Sequence, residues 1–134
     1  MDDKISSQLR TILLVDGADG TRIMTKWFLN NFDFTVETAR TAEEALARFD
    51  PQVHYLVITE NAMPGMSGVE MAHIIKLRSP TTPVLMFSST PPPDHACLDF
   101  VLLRPTHLMF LKEGVDKILA SPSLSGQLTT TAPR

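Results

Sequence analysis

The chain has 134 residues, of which 43% are hydrophobic and 20% charged, and its formal net charge is −3. This length is enough for one domain with a hydrophobic core, and the mildly acidic balance argues against nucleic acid or a membrane surface as a partner. Cys97 is the single cysteine, which excludes an internal disulfide and is typical of a reducing compartment. Because no apolar run approaches the ~20 residues of a membrane helix and the first residues lack a signal-peptide profile, we expect a cytoplasmic protein.

Five short apolar segments are predicted to be buried strands, because each is rich in aliphatic or β-branched residues and is bounded by polar or turn-forming residues. They are residues 11–15, 34–39, 55–60, 83–88 and 100–103. Apolar residues at helical spacing between and after these segments predict helices, the last of them over residues 107–120. This alternation predicts an α/β fold, namely a flavodoxin-like, doubly wound, five-stranded parallel sheet with strand order 2-1-3-4-5.

The first predicted helix has a conspicuous apolar face. Ile23 and Trp27 are four residues apart, as are Met24 and Phe28. Side chains at this spacing lie on the same face of a helix. We therefore expect this face, including Trp27, to pack into the core.

The connection between the fourth and fifth strands is short and rich in proline. Eleven residues separate Ser88 from Phe100, and residues 91–93 are all proline. Proline fixes the backbone and lacks an N–H donor, so a helix cannot run through this triplet. We expect a shortened fourth helix or a loop here, which should leave part of the fifth strand uncovered.

The composition of the chain divides it into three parts. Residues 1–10 are polar without a clear period and are expected to be a flexible lead-in. The domain is expected to cover residues 11–120. Residues 121–134 are rich in Ser, Thr, Pro and Gly, so we expect a disordered tail or a linker.

The third predicted strand ends on a carboxylate, Glu60, and is followed by a loop that contains Met63-Pro64 and Gly68. A carboxylate at the C-terminal end of a parallel strand lies where open α/β sheets bind their ligands. The segment resembles the phospho-acceptor loop of CheY-like response-regulator receiver domains, which reads acceptor Asp, two residues, Met-Pro, three residues, Gly. Since Glu60 stands at the acceptor position, the resemblance is to an atypical receiver, or pseudo-receiver, without the acceptor aspartate.

The resemblance implies roles for residues at the ends of the other strands. Asp16 matches the first member of the acidic pair that holds Mg²⁺ in receiver domains, and Gly17 replaces the second. Ser88 stands at the position of the switch hydroxyl. Arg104, followed by Pro105, stands where receiver domains carry Lys-Pro.

These replacements argue against metal binding and phosphorylation. Asp16 and Glu60 are weak candidate ligands, but Gly17 removes a carboxylate from the octahedral oxygen shell that Mg²⁺ requires, so we expect no Mg²⁺ and no other cofactor. Asp19 is interpreted as the N-cap of the first helix. The additional methylene of Glu60 shifts a nucleophile by about 1.5 Å, and a misplacement of ~1 Å can lower a rate on the order of 10²-fold.

Arg104 is predicted to form an ion pair with Glu60, because its planar guanidinium matches a carboxylate in bidentate fashion. Two interpretations of this pair are open. Either the site is locked in one state that mimics phosphorylation, or it is a degenerate site whose remaining charges satisfy one another.

The remaining reactive side chains give weaker signals. The four histidines have no metal-ligand spacing and are interpreted as solvated or partly packed. Cys97 has no base beside it in the sequence and is interpreted as inert. We therefore do not predict an enzyme.

The function predicted from the sequence is that of an atypical receiver in two-component (phosphorelay) signalling, acting as a phosphorylation-independent protein-interaction module. Two alternatives are a receiver that accepts a phosphoryl group on a non-standard residue and a receiver-like domain that senses a small ligand. Fold alone does not decide among them. The expected partner is a protein, either a histidine kinase, an output domain or another receiver, and a homodimer is a further option; nucleic acid and membranes are not expected.

Overall fold

The computed structural model describes residues 11–120, in which five parallel strands form one sheet with helices on both faces. The strands are β1 (Thr11–Val15), β2 (Thr35–Ala39), β3 (His54–Thr59), β4 (Val84–Ser88) and β5 (Phe100–Leu103). Their order in the sheet is β2-β1-β3-β4-β5. The predicted fold class and strand order are therefore confirmed. Residues 1–10 and 121–134, the predicted lead-in and tail, lie outside the described residues.

Four helices flank this sheet: α1 (Asp19–Asn30), α2 (Ala42–Arg48), α3 (Gly68–Arg78) and α4 (Leu108–Ala120). Successive side chains of a strand point to opposite faces, and β1 illustrates the consequence. Ile12 and Leu14 belong to the core layer beneath α1 and α4, whereas Leu13 and Val15 belong to the layer beneath α2 and α3. Within residues 11–120, no helix has both the length and the apolar character needed to cross a membrane.

The register of the sheet aligns the C-terminal ends of the strands. Val15 pairs with both Ala39 and Thr59, and Ser88 pairs with Leu103. Backbone hydrogen bonds continue this alignment by one residue: the Glu60 N–H donates to the Val15 carbonyl at 3.0 Å, and the Arg104 N–H donates to the Ser88 carbonyl at 2.7 Å. The residue that follows each strand therefore has a fixed backbone position.

The β4–β5 connection contains no helix, as the proline triplet predicts. Residues 89–99 consist of turns, bends and irregular backbone. The strand that follows this connection is incompletely covered: the residues of β4 are all buried, whereas those of β5 are half-buried and Leu103 is 43% exposed. The predicted exposure at the fifth strand is confirmed.

The prediction that the apolar face of α1, including Trp27, packs into the core is wrong. Trp27 is 73% exposed, and Ile23 and Met24 are also exposed, whereas the buried positions of the helix are Arg22, Thr25 and Leu29. Arg22 can be buried because its guanidinium donates to the Asp16 carbonyl at 3.0 Å and to the Asp19 carboxylate at 2.6 Å. Helical spacing thus identified an apolar face, but only Phe28 of that face packs against the core, while Ile23, Met24 and Trp27 point to solvent.

This orientation of α1 can be tested by stability measurements. Trp27→Ala should change the free energy of unfolding by no more than about 0.5 kcal/mol, because the side chain is exposed. Leu29→Ala, two residues away, should cost about 2–5 kcal/mol, since it removes a fully buried side chain. Urea denaturation followed by circular dichroism compares the two; equal losses in both variants would place Trp27 in the core after all.

Candidate functional site

Four of the residues predicted to form a site come together at the C-terminal edge of the sheet. Asp16 follows β1, Glu60 follows β3, Ser88 ends β4 and Arg104 follows β5. Ser88 is fully buried, and Asp16 and Glu60 are only 3% and 8% exposed. The side chain of Arg104 is 18% exposed, so the charges of this site are largely withdrawn from water.

The Asp16 carboxylate is held by three donors. Its Oδ1 accepts from the Ala18 N–H at 3.0 Å, and its Oδ2 accepts from the Thr21 hydroxyl at 2.6 Å and from Arg104 Nη2 at 3.2 Å. Two of these donors belong to the turn before α1 and to its first residues, and the Thr21 hydroxyl shares Oδ2 with Arg104. Asp16 is therefore fixed in position and compensated in charge.

Glu60 is fixed by the loop that follows it. Its Oε1 accepts from the Asn61 N–H at 2.7 Å, and the Asn61 side chain accepts from the Val69 N–H at 3.0 Å at the start of α3. Gly68 lies against this turn so closely that a Cβ there would be 2.1 Å from the Glu60 carbonyl oxygen. The glycine of the sequence motif is thus required by a close approach of two backbone segments.

Arg104 lies between the two carboxylates. Its Nη2 donates to Asp16 Oδ2 at 3.2 Å and to the Phe87 carbonyl at 3.1 Å, while its Nη1 lies 3.6 Å from Glu60 Oε2. The guanidinium also stacks over the Phe87 ring at 4.6 Å. An ion pair between Glu60 and Arg104 is therefore present, but the expected bidentate geometry is wrong, because the guanidinium divides its donors between two acids.

The contact between Arg104 and Asp16 was not anticipated from the sequence. Arg104 follows the edge strand β5, and Asp16 follows β1, which is three positions away in the sheet. Only the long side chain of arginine makes such a contact possible, and sequence spacing carries no signal for it. The resulting arrangement places one guanidinium against two carboxylates in a largely desolvated setting, where charge-assisted hydrogen bonds are strong.

The remaining residues of the predicted set make no contact with the two carboxylates through their side chains in the hydrogen bonds described above. The Ser88 hydroxyl donates to the Thr90 carbonyl at 2.8 Å, so it is engaged in a local turn. Gly17 is exposed, and a Cβ at this position would lie 3.4 Å from the Arg40 carbonyl oxygen. Pro105 follows Arg104 through a cis peptide bond.

The interpretation of Asp19 as a helix cap is wrong. The N-cap of α1 is Ala18, and Asp19 is the first helical residue. Its exposed carboxylate hydrogen-bonds to Arg22 at 2.6 Å, and this hydrogen bond and the charge of Arg22 hold the pKa of Asp19 below its ordinary value of 3.8. Asp19 is thus engaged with its own helix.

The structure also corrects the interpretation of Cys97 and of one histidine. The Cys97 sulfur lies 3.4 Å from His73 Nδ1, so a base does stand beside this thiol. His54 is almost fully buried and contacts Glu37 at 2.6 Å. It lies at the start of β3, at the edge of the sheet opposite to Glu60.

Comparison with known proteins is consistent with this geometry. The profile of the response regulator receiver domain matches residues 12–97. The autoinducer 1 sensor kinase/phosphatase LuxN of Vibrio campbellii is 29% identical over 85 residues, which are 63% of this chain and 10% of that protein. Matches of the chain span between 10% and 22% of the lengths of its curated relatives.

Solved structures give the same result. The response regulator TrrA of Thermotoga maritima, in complex with Mg²⁺–BeF, is 27% identical with a TM-score of 0.77, covering 81% of this chain and 98% of that chain. A chain of the complex between histidine kinase ThkA and TrrA is 28% identical with a TM-score of 0.75, covering 82% and 98%. Because the family profile spans more than half of the sequence, the chain belongs to the response regulator receiver domain family, whose members are generally non-enzymatic modules of two-component signalling.

Proposed function

We propose that this chain is an atypical receiver domain that works as a phosphorylation-independent protein-interaction module. The observation that carries the proposal is the position of the Arg104 guanidinium, in contact with both Asp16 and Glu60. In a phosphorylation-dependent receiver, the corresponding charges have to be available for an incoming phosphoryl group and its metal ion. Here the guanidinium lies against both carboxylates and compensates their charge from within the chain.

The chemistry of the donor set does not fit Mg²⁺. Asp16 already receives hydrogen bonds from the Ala18 N–H, the Thr21 hydroxyl and Arg104, and the fixed positive charge of arginine lies beside the oxygen that a metal would need. Gly17 offers no side-chain oxygen. Mg²⁺ demands near-ideal octahedral oxygen ligation, so a site with a guanidinium in contact with both acids is a poor one.

The environment of Glu60 also disfavours phosphoryl transfer to it. One carboxylate oxygen accepts from the Asn61 N–H, and the other faces the guanidinium. Both contacts stabilise the resting carboxylate and lower its reactivity as a nucleophile. The Ser88 hydroxyl, bonded to Thr90, is likewise engaged elsewhere.

An exposed apolar face on α1 supports an interaction role. Ile23, Met24 and Trp27 are all more than half exposed, and with Phe28 and Leu108 they line a groove of about 540 Å³ between α1 and the start of α4. The acidic residues Asp16 and Glu60 do not line this groove, so it is a surface separate from the acidic site. Exposed apolar patches often mark protein–protein contacts.

The partner that we propose for this face is a histidine kinase. The similar response regulator TrrA was solved in complex with the histidine kinase ThkA. A standing charge cluster in place of a phosphorylation site would make such binding independent of phosphoryl transfer, so the chain would act by occupying the kinase or by bringing another domain to it.

Phosphorylation can be tested directly on a panel of variants. With acetyl phosphate and Mg²⁺, the unaltered protein and Glu60→Asp should show no gain of a phosphoryl group by intact mass spectrometry. Glu60→Asp combined with Gly17→Asp and Arg104→Lys should regain metal-dependent modification, because it restores both carboxylates and a compact cation. The Cβ of an aspartate at position 17 has room, with its nearest contacts at 3.4 Å and 3.9 Å.

The matched double variant, Glu60→Asp with Gly17→Asp, isolates Arg104. If it is modified as readily as the triple variant, the guanidinium is not what blocks the site. A phosphoryl group mapped to Glu60 in the unaltered protein would contradict the proposal as a whole.

The charge cluster, which consists of Asp16, Glu60 and Arg104, should contribute measurably to the free energy of unfolding. Arg104→Met leaves Asp16 and Glu60 close together without a cation and should lower the free energy of unfolding by about 3 kcal/mol. Arg104→Lys keeps a charge there and should lose less than half of that. Glu60→Gln should cost less than ~1 kcal/mol, since Asp16 still pairs with Arg104. Urea denaturation measures all three variants. An Arg104→Met variant as stable as Arg104→Lys would contradict the claim that a positive charge at position 104 stabilises the two carboxylates.

Binding through α1 should be insensitive to the phosphorylation machinery. Titration calorimetry with a histidine kinase of the same cell should give the same affinity with and without ATP and Mg²⁺. Trp27→Ala should weaken binding by about tenfold or more, as expected for an aromatic anchor. Leu77→Ala is the matched control, because Leu77 is also a largely exposed apolar residue but lies on α3. Equal weakening by the two variants would argue against the α1 face.

A further inference from the structure

A thiol, an imidazole and a carboxylate form a chain of contacts where the β4–β5 connection, which contains no helix, lies beside α3. The Cys97 sulfur is 3.4 Å from His73 Nδ1, and His73 Nε2 is 3.0 Å from Asp94 Oδ2. This is the order of groups by which a nucleophilic cysteine is activated, with the base oriented by a third group. The cluster is separate from Asp16, Glu60 and Arg104.

The fold brings these residues together across 24 positions of sequence. His73 lies in the middle of α3, and Asp94 and Cys97 lie in the β4–β5 connection. One helical turn further along α3, Lys76 binds Asp99 at 2.8 Å and anchors the end of the same connection. The connection is therefore held against α3 at two adjacent points, and the thiol is part of one of them.

The hydrogen-bond partners define the role of each group. When His73 Nε2 carries the proton and donates it to Asp94, Nδ1 is left as the acceptor that faces the thiol. Asp94 is suited to this role, because two hydrogen bonds hold its pKa below the ordinary value of 3.8. The one from the Ala96 N–H has the larger effect on the pKa, and the one from His73 has the smaller effect. An ionised Asp94 also stabilises the imidazolium that forms when His73 takes the thiol proton.

The openness of the cluster decides what kind of chemistry it supports. The side chains of His73 and Asp94 are about half exposed, and Cys97 is partly exposed while it packs on the core layer beneath α2 and α3. A small reagent can reach the sulfur from solvent. Turnover of a larger substrate would need an enclosing cleft and oxyanion donors, which an open helix face does not offer.

We propose that Cys97 is a redox modification site that reacts with small-molecule disulfides. His73 takes the proton of the thiol, and the thiolate attacks one sulfur of the disulfide. A new S–S bond to Cys97 forms as the disulfide's own S–S bond breaks, and the leaving thiolate takes the proton from the imidazolium. The protein thiol is oxidised to a mixed disulfide, and half of the reagent is reduced to a free thiol.

Modification would alter the face on which the cluster lies. A group bonded to the sulfur replaces the thiol proton that faces His73, so we expect the contact at this point to be lost while the Lys76–Asp99 ion pair remains. Residues 89–96 would then be released from α3, and Cys97 would leave its place on the core layer. The mixed disulfide would thus change the β4–β5 connection from one held against α3 at two points to one held only by Lys76 and Asp99.

The reaction rate of the thiol tests this proposal, and every thiol signal reports Cys97 because it is the single cysteine. With dithiodipyridine at neutral pH, the thiol of the folded protein should react on the order of 10-fold faster than the same thiol in concentrated urea. This factor is smaller than the rate enhancement that a general base gives in an enclosed site, because the cluster is open to solvent. His73→Gln should remove this advantage, and Asp94→Asn should reduce it. His95→Gln is the control, because His95 is exposed in the same connection without contact to the sulfur.

Circular dichroism establishes that each variant is folded. The proposal is overturned if the folded protein reacts no faster than the denatured chain, or if His73→Gln and His95→Gln change the rate equally. Oxidised glutathione gives the second measurement: mass spectrometry should detect a mixed disulfide at Cys97, and hydrogen exchange should accelerate at residues 89–96. Unchanged exchange in the modified protein would overturn the release of the connection.

Discussion

The contact of one arginine with two buried acids is the constraint on which the functional edge of this domain depends. Asp16 and Glu60 end neighbouring parallel strands, so the fold holds two carboxylates together in a place with little water. Burying like charges is costly unless a cation compensates them. Arg104 supplies that charge from within the chain, through hydrogen bonds to Asp16 and Phe87 and a longer contact to Glu60. One side chain of the chain itself therefore compensates both carboxylates at the C-terminal edge of the sheet.

The sequence was sufficient to predict the strands, because short apolar runs bounded by turn-forming residues act locally. The alternation of strands and helices led to the fold class and its strand order, and the resemblance to receiver domains identified the residues at the strand ends. The sequence was not sufficient for the contacts of long side chains. The reach of Arg104 to Asp16 depends on the width of the sheet, and the contact of His73 with Cys97 depends on how an irregular connection lies against α3. Neither has a signal in spacing, so the first was missed and the thiol was interpreted as inert.

The error at α1 has a different cause. Helical spacing establishes that Ile23, Met24, Trp27 and Phe28 share a face, but it does not establish which face meets the sheet. The face that meets the sheet carries Arg22, which is stable when buried because its guanidinium donates to the Asp16 carbonyl in the interior and to the exposed Asp19 carboxylate. A helix with a satisfied buried arginine can turn its apolar side outward. Trp27 is therefore a surface residue, and it belongs to the face for which we propose a protein partner. Its apolar character alone led to the incorrect prediction that it packs in the core.

The β4–β5 connection, which contains no helix, links the acidic site to Cys97 in the chain. The β4–β5 connection runs from Ser88, at the charge cluster, past Cys97 to β5, whose end carries Arg104. A disturbance at Cys97 would reach Arg104 only by moving β5. Asp99 opposes that movement, because its carboxylate accepts from Lys76 and from the Val84 N–H at 2.8 Å each, and its own N–H donates to the Val84 carbonyl at 2.8 Å. Since this anchor lies between the thiol and the strand, modification of Cys97 should reshape the surface over α3 and leave the arginine and its two acids in place.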